Sequence, residues 1–167
     1  MTEILDDISQ ALVDGFTANA VVKAFMERHR GERTSGLIEW LPSMPREING
    51  RFEINDMDVP YLRVCRSGAG FISQPDPTFK SDIVILRRVL GVLTSYETTY
   101  EGDEDLKGFY VATWRALYSD TMQVALMALG VKQTKVSQTD VDGLSTDPHS
   151  AFIIDAAFTL DGRRFMR

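Results

Sequence analysis

The residue types able to do chemistry are few in this sequence, and their spacing does not suit them to it. Asp103, Asp105 and Gly108 begin like a calcium-binding loop. Such a loop needs a bidentate glutamate at its twelfth position, and Trp114 stands there. Asp140, Asp142, Gly143 and Asp147 fail the same test, because the glycine comes too early and the twelfth position is Ala151. Both stretches read as solvated turns. His29 and His149 are the only histidines. They are far apart, and His149 follows Pro148 in what reads as an exposed loop. Zinc sites draw on clustered cysteine and histidine, and no such cluster exists here.

Cys65 is the only cysteine. A nucleophilic cysteine needs a base or a positive site beside it. Arg63 and Arg66 are near in sequence, but no histidine is, so the apolar run around Cys65 marks it as a small buried hydrophobe. Gly68-Ala69-Gly70 opens a dinucleotide fingerprint that fails at Ser73. No Gly-x-Ser-x-Gly elbow and no phosphate-loop lysine occur. The sequence thus predicts no catalysis, no cofactor and no metal. Tyr110 and Trp114, at helical spacing, read as core or subunit interface.

The elements that would position any site follow from periodicity. Thr2, then Ile4, Leu5, Ile8, Leu12 and Phe16, predicts a capped amphipathic helix, with a break at Gly15-Phe16-Thr17. Val21, Val22, Phe25 and Met26 predict a second helix stopping at Gly31. A polar connector leads to a short strand over residues 37–41, ended by Pro42 and Pro45. Asn49-Gly50 predicts a hairpin turn between residues 47–48 and 51–54. Another strand is expected over residues 60–65, then a loop enclosed by Gly68-Ala69-Gly70 and Pro75-Asp76-Pro77. Residues 82–93 are β-branched and apolar on both faces, which predicts a long strand buried on both sides for part of its length.

Residues 101–105 read as an acidic turn leading into a helix that ends at Gly130, with Ser119-Asp120 as a cap for a second segment. Residues 131–141 alternate loosely, and residues 150–160 predict a strand ending at Asp161-Gly162. The fold class is therefore α+β: a mixed or antiparallel sheet flanked by an N-terminal helix and a long helix before the closing strands. The 167 residues suit a single domain.

Composition bounds the function further. Hydrophobic residues make up 44% and charged residues 25%, a globular balance. The net charge is −6, which argues against nucleic-acid binding as the main task, since phosphate neutralisation needs a basic face. The N-terminus is acidic and carries no secretory pattern, and no apolar run is long enough to span a membrane. Cytoplasmic synthesis is expected.

The order of elements resembles that of the tail-terminator and neck (head–tail joining) proteins of tailed bacteriophages. The resemblance rests on the amphipathic helix of residues 1–15, the short strand Leu37–Leu41, the long strand around residues 83–93, the helix ending Leu126-Met127-Ala128-Leu129-Gly130, and the closing segment 151–164. It departs from the family pattern by an extra helix over residues 21–31 and a longer loop over residues 71–80, so the layer of the neck stays open. The resemblance implies a structural virion protein, assembled in the host cytoplasm, that forms a homo-oligomeric hexamer ring ending the tail tube. The tail tube and the head connector or adaptor would be its partners, with a sheath as a further partner where one exists. DNA would be passing cargo only. Candidate contacts, judged exposed from composition, are Arg28, Arg30, Arg33, Phe71, Phe79, Arg163 and Arg164. The competing expectation is a small cytosolic α+β ligand-binding protein or enzyme, which would require a convergent polar pocket.

Overall fold

The computed structural model describes residues 2–29, 37–42, 47–48, 51–52, 60–71, 82–94, 99–138 and 149–162. The chain opens with two helices, α1 (Thr2–Ala18) and α2 (Ala20–His29). Ile8, Leu12, Val13 and Phe16 recur at helical spacing on α1 and are all buried. The helix runs straight through Gly15, contrary to the expected break there. The end of the Met122 side chain, from a later helix, occupies the space where a Gly15 β-carbon would stand. The break falls instead at Asn19. Its Oδ1 accepts hydrogen bonds from the backbone N–H groups of Val21 and Val22 at 3.1 Å, which caps α2.

Strand β1 (Leu37–Leu41) matches expectation. A small antiparallel pair follows, β2 (Glu47–Ile48) against β3 (Arg51–Phe52); the expected turn dipeptide Asn49-Gly50 lies outside the described residues. Strand β4 spans Tyr61–Phe71 and is longer than its sequence suggests. Gly68, Ala69, Gly70 and Phe71, assigned above to a loop, pair with Leu86, Ile85, Val84 and Ile83. A register shift between Arg66 and Gly68 admits one extra residue. Two glycines so close in sequence signal a turn locally, and the partner strand overrides that signal. Strand β5 (Asp82–Thr94) is the expected long strand.

Helix α3 (Thr99–Leu117) starts before the acidic stretch 101–105, which therefore lies in its first turns and not in a preceding turn. Negative charge there suits the helix dipole equally well. Helix α4 (Asp120–Ala128) is a separate segment, capped by Ser119, whose Oγ accepts from Met122 N at 3.3 Å. Gly130, at φ 93°, ends it in the left-handed conformation that glycine adopts without strain. Strands β6 (Val131–Gln138) and β7 (His149–Asp161) close the fold. His149 is the first residue of β7, not part of a loop.

Five strands form one sheet in the order β1-β4-β5-β7-β6. β1 runs parallel to β4, and every other pairing is antiparallel. The sheet is therefore mixed and the class α+β, with the N-terminal helix and the two helices before β6 and β7 packed on it. β7 lies between β5 and β6 although it follows both in sequence.

Alternation along the strands sorts the two faces. Leu62, Val64, Ile83, Ile85, Val89, Phe152, Ile154 and Phe158 face the helices and join Leu12, Phe16, Phe109, Leu117, Met122 and Leu126 in the core. Phe109 and Tyr110 of α3 pack edge-on against Phe152, with ring centroids 5.2 and 5.5 Å away. Gly91 sits beneath that ring, where any β-carbon would overlap Phe152. On the far face, Tyr61, Cys65, Leu90, Val92, Ala151 and Ile153 are buried as well. β5 is thus apolar and buried on both sides at one end. At its other end Leu86 is 41% exposed on that face.

Candidate assembly surface

Several charged side chains on the sheet are engaged in local pairs. On the far face, Arg63 Nε meets Glu39 Oε1 at 2.7 Å and its guanidinium lies 4.1 Å from the centroid of the Tyr61 ring. Arg88 Nε meets Asp155 Oδ1 at 2.7 Å, and Lys132 Nζ meets Asp82 Oδ1 at 2.9 Å. Cys65 lies among these groups and is wholly buried. Burial pushes its thiol up from 9.0 to about 11, with Arg63 and Arg88 only partly opposing. A thiol held protonated is no nucleophile, which agrees with a packing role.

On the helix face, Arg87 is buried between sheet and α1. Its Nε donates to Ser9 Oγ at 2.8 Å and its Nη1 to the Leu86 carbonyl at 2.8 Å. Burial and the neighbouring Arg66 lower its pKa to about 10, against a smaller opposing pull from Asp6. Arg66 itself pairs with Asp6 at 2.9 Å. These contacts tie α1 to the middle of the sheet. Among the described residues no group of three or more His, Cys, Asp or Glu is placed to hold a metal ion.

The outward surface of the helical layer differs in kind. On α3 the buried positions 109, 112, 113, 116 and 117 leave Lys107, Val111, Trp114, Arg115 and Tyr118 on one exposed stripe. Trp114 is 36% exposed and stacks edge-on against Tyr110 at 5.7 Å. The Tyr110 hydroxyl is buried without a hydrogen-bond partner among the described residues, and burial raises its pKa.

Between α2 and α3 runs a half-open groove of about 440 Å³. Val21, Val111 and Ala112 line its apolar part, and Lys107 and Arg115 stand at its rim. Val21 itself is 56% exposed. On α4 the solvent side is apolar too, with Val124 at 67% and Met127 at 65% exposure. Beside α4 lies β6, which among the described residues pairs only with β7 and leaves one edge open. Tyr118 and Gln123 bridge helix layer and edge strand through Thr134. Helix α1 presents the opposite character: Asp7, Gln10 and Asp14 form its exposed stripe.

The sequence-based contact candidates fare unevenly. Arg28 lies in the last turn of α2. Phe71 belongs to β4, paired with Ile83, and not to a loop. Arg30, Arg33, Phe79, Arg163 and Arg164 lie outside the described residues. Trp114 of α3 reads from sequence as core or subunit interface, but the exposed Val111, Val124 and Met127 were missed because helical spacing alone does not say which face the sheet covers. Val124 and Met127 flank the buried Leu126, so local sequence does not separate them from the core.

No family model matches this sequence, and no curated protein is detectably similar to it. Among the described residues no helix is long and apolar enough to cross a membrane.

Proposed function

We propose that this chain is a structural subunit that works by assembling with copies of itself and with other proteins, as a ring at the neck of a tailed bacteriophage. The observation that carries assembly is the apolar outer side of α4, with Val124 and Met127 largely exposed beside the open edge of β6. Exposed patches of this kind, rimmed by polar residues, mark protein interaction sites. An unpaired strand edge offers backbone groups to a neighbouring chain. A ring needs two different surfaces that close head to tail, and the basic-rimmed groove and acidic α1 stripe supply unlike surfaces. The neck placement rests on the element order alone: amphipathic helix, short strand, long strands, the helix ending at Gly130 and the closing strand. In that setting the subunit would cap the tail tube and join it to the head connector, without chemistry of its own.

A small-molecule role draws support from the groove, whose volume falls in the range of ligand sites, roughly 300–1,000 Å³. Its open shape and lack of convergent buried polar groups favour a protein occupant. The deciding experiment deletes the gene from the encoding genome and images the lysate by negative-stain electron microscopy. DNA-filled heads beside detached or overlong tails are expected. Normal infectious particles would exclude the neck role.

A further inference from the structure

We infer that neighbouring copies join by laying the acidic stripe of one α1 along the basic-rimmed groove between α2 and α3 of the next copy. The inference rests on the ring reading above and names its contact. The groove carries Lys107 and Arg115 eight residues apart on α3, with Val111 between them. At ~1.5 Å per residue the two cations stand about 12 Å apart along the helix. On α1, Asp7 and Asp14 are seven residues apart, about 10.5 Å by the same rise. Both are exposed, and Gln10 lies between them on the same stripe.

The flexible stems of lysine and arginine absorb the difference in spacing. No ion pair within the described residues engages Lys107, Arg115, Asp7 or Asp14. Asp14 accepts only a hydrogen bond from Gln10 at 2.8 Å. Copies that each carry a net charge of −6 repel on average, so a local basic patch is what allows an acidic surface to dock. Val21 and Val111, 56% and 41% exposed in the single chain, would be shielded by the docked helix. Because the two surfaces differ, the contact is head to tail and can propagate around a ring.

The test uses sedimentation velocity on the full chain and three charge variants, each first checked for a wild-type circular dichroism spectrum. Wild type is expected to form a closed oligomer as concentration rises, and to lose it between 50 and 500 mM NaCl, as roughly expected for exposed charge pairs. Lys107→Glu with Arg115→Glu, and separately Asp7→Lys with Asp14→Lys, should each give monomers. Mixing these two variants in equal amounts should restore the oligomer, since acidic and basic surfaces then alternate. The chain carrying all four changes should also assemble. A wild-type oligomer that survives either double variant would overturn this contact while leaving the ring reading intact. So would double variants that mixing does not rescue. A wild type that stays monomeric at every concentration would remove both.

Discussion

At the scale of single residues, two buried groups give testable behaviour. The Cys65 thiol is held up at about 11 against 9.0 in an ordinary setting, chiefly by burial. Below pH 9 both folded and unfolded chains keep the proton, and stability is unaffected. Above it the unfolded chain ionises first, so stability falls until the folded thiol also ionises near 11. The loss over that window is about 2–3 kcal/mol, at roughly 1.4 kcal/mol per pH unit. Urea midpoints measured from pH 8 to 11 should fall more steeply for wild type than for Cys65→Ala; parallel curves would contradict this. Tyr110 makes the second case. Its buried hydroxyl finds no partner among the described residues, and such a group costs about 1–3 kcal/mol. Tyr110→Phe keeps the ring on Phe152 and Trp114 and should leave the melting temperature unchanged or raise it, whereas a clear fall would reveal a hidden partner.

At the scale of elements, the boundary between α3 and α4 hangs on one side chain. Ser119 Oγ accepts from Met122 N and donates to the Ala116 carbonyl at 2.7 Å. Ser119→Ala should therefore cost about 1 kcal/mol, read as a lowered urea midpoint at constant slope. The outer face of α4 should behave oppositely. Val124→Asp with Met127→Asp removes exposed apolar surface, so the monomer should melt no earlier while binding of a partner protein to that face weakens at least tenfold. An unaltered association constant would count against that face as an interface. Most elements were legible from local pattern: the Leu37–Leu41 strand, the antiparallel pairing of residues 47–48 with 51–52, the long β5 and the Ser119 cap all follow from residue type and spacing. The misjudged boundaries have non-local causes. Gly15 lies within a helix packed on the rest of the fold, and Gly68 to Phe71 extend a strand because β5 lies alongside.

At the scale of the whole molecule, stability depends on a strand placed out of sequence order. β7 is bonded to both β5 and β6, so a chain ending at residue 138 should lack a cooperative melting transition, as calorimetry would show. A sharp transition in that shortened chain would mean the remaining sheet stands alone. The proposed assembly surface was less legible than the fold, because it depends on which helix faces the sheet leaves uncovered. Lys107 and Arg115, or Asp7 and Asp14, look like ordinary solvated charges until tertiary packing sorts each helix into an inner and an outer side. The position of β7 also has a temporal meaning. A ribosome that has made β6 but not yet β7 holds β5 with one bare edge and β6 with no partner strand in the sheet. Completion waits for β7, and contacts so distant along the chain form slowly. The helices that carry the proposed docking surfaces would thus lack their finished support during synthesis, a delay that would keep nascent copies on neighbouring ribosomes from joining before each is folded.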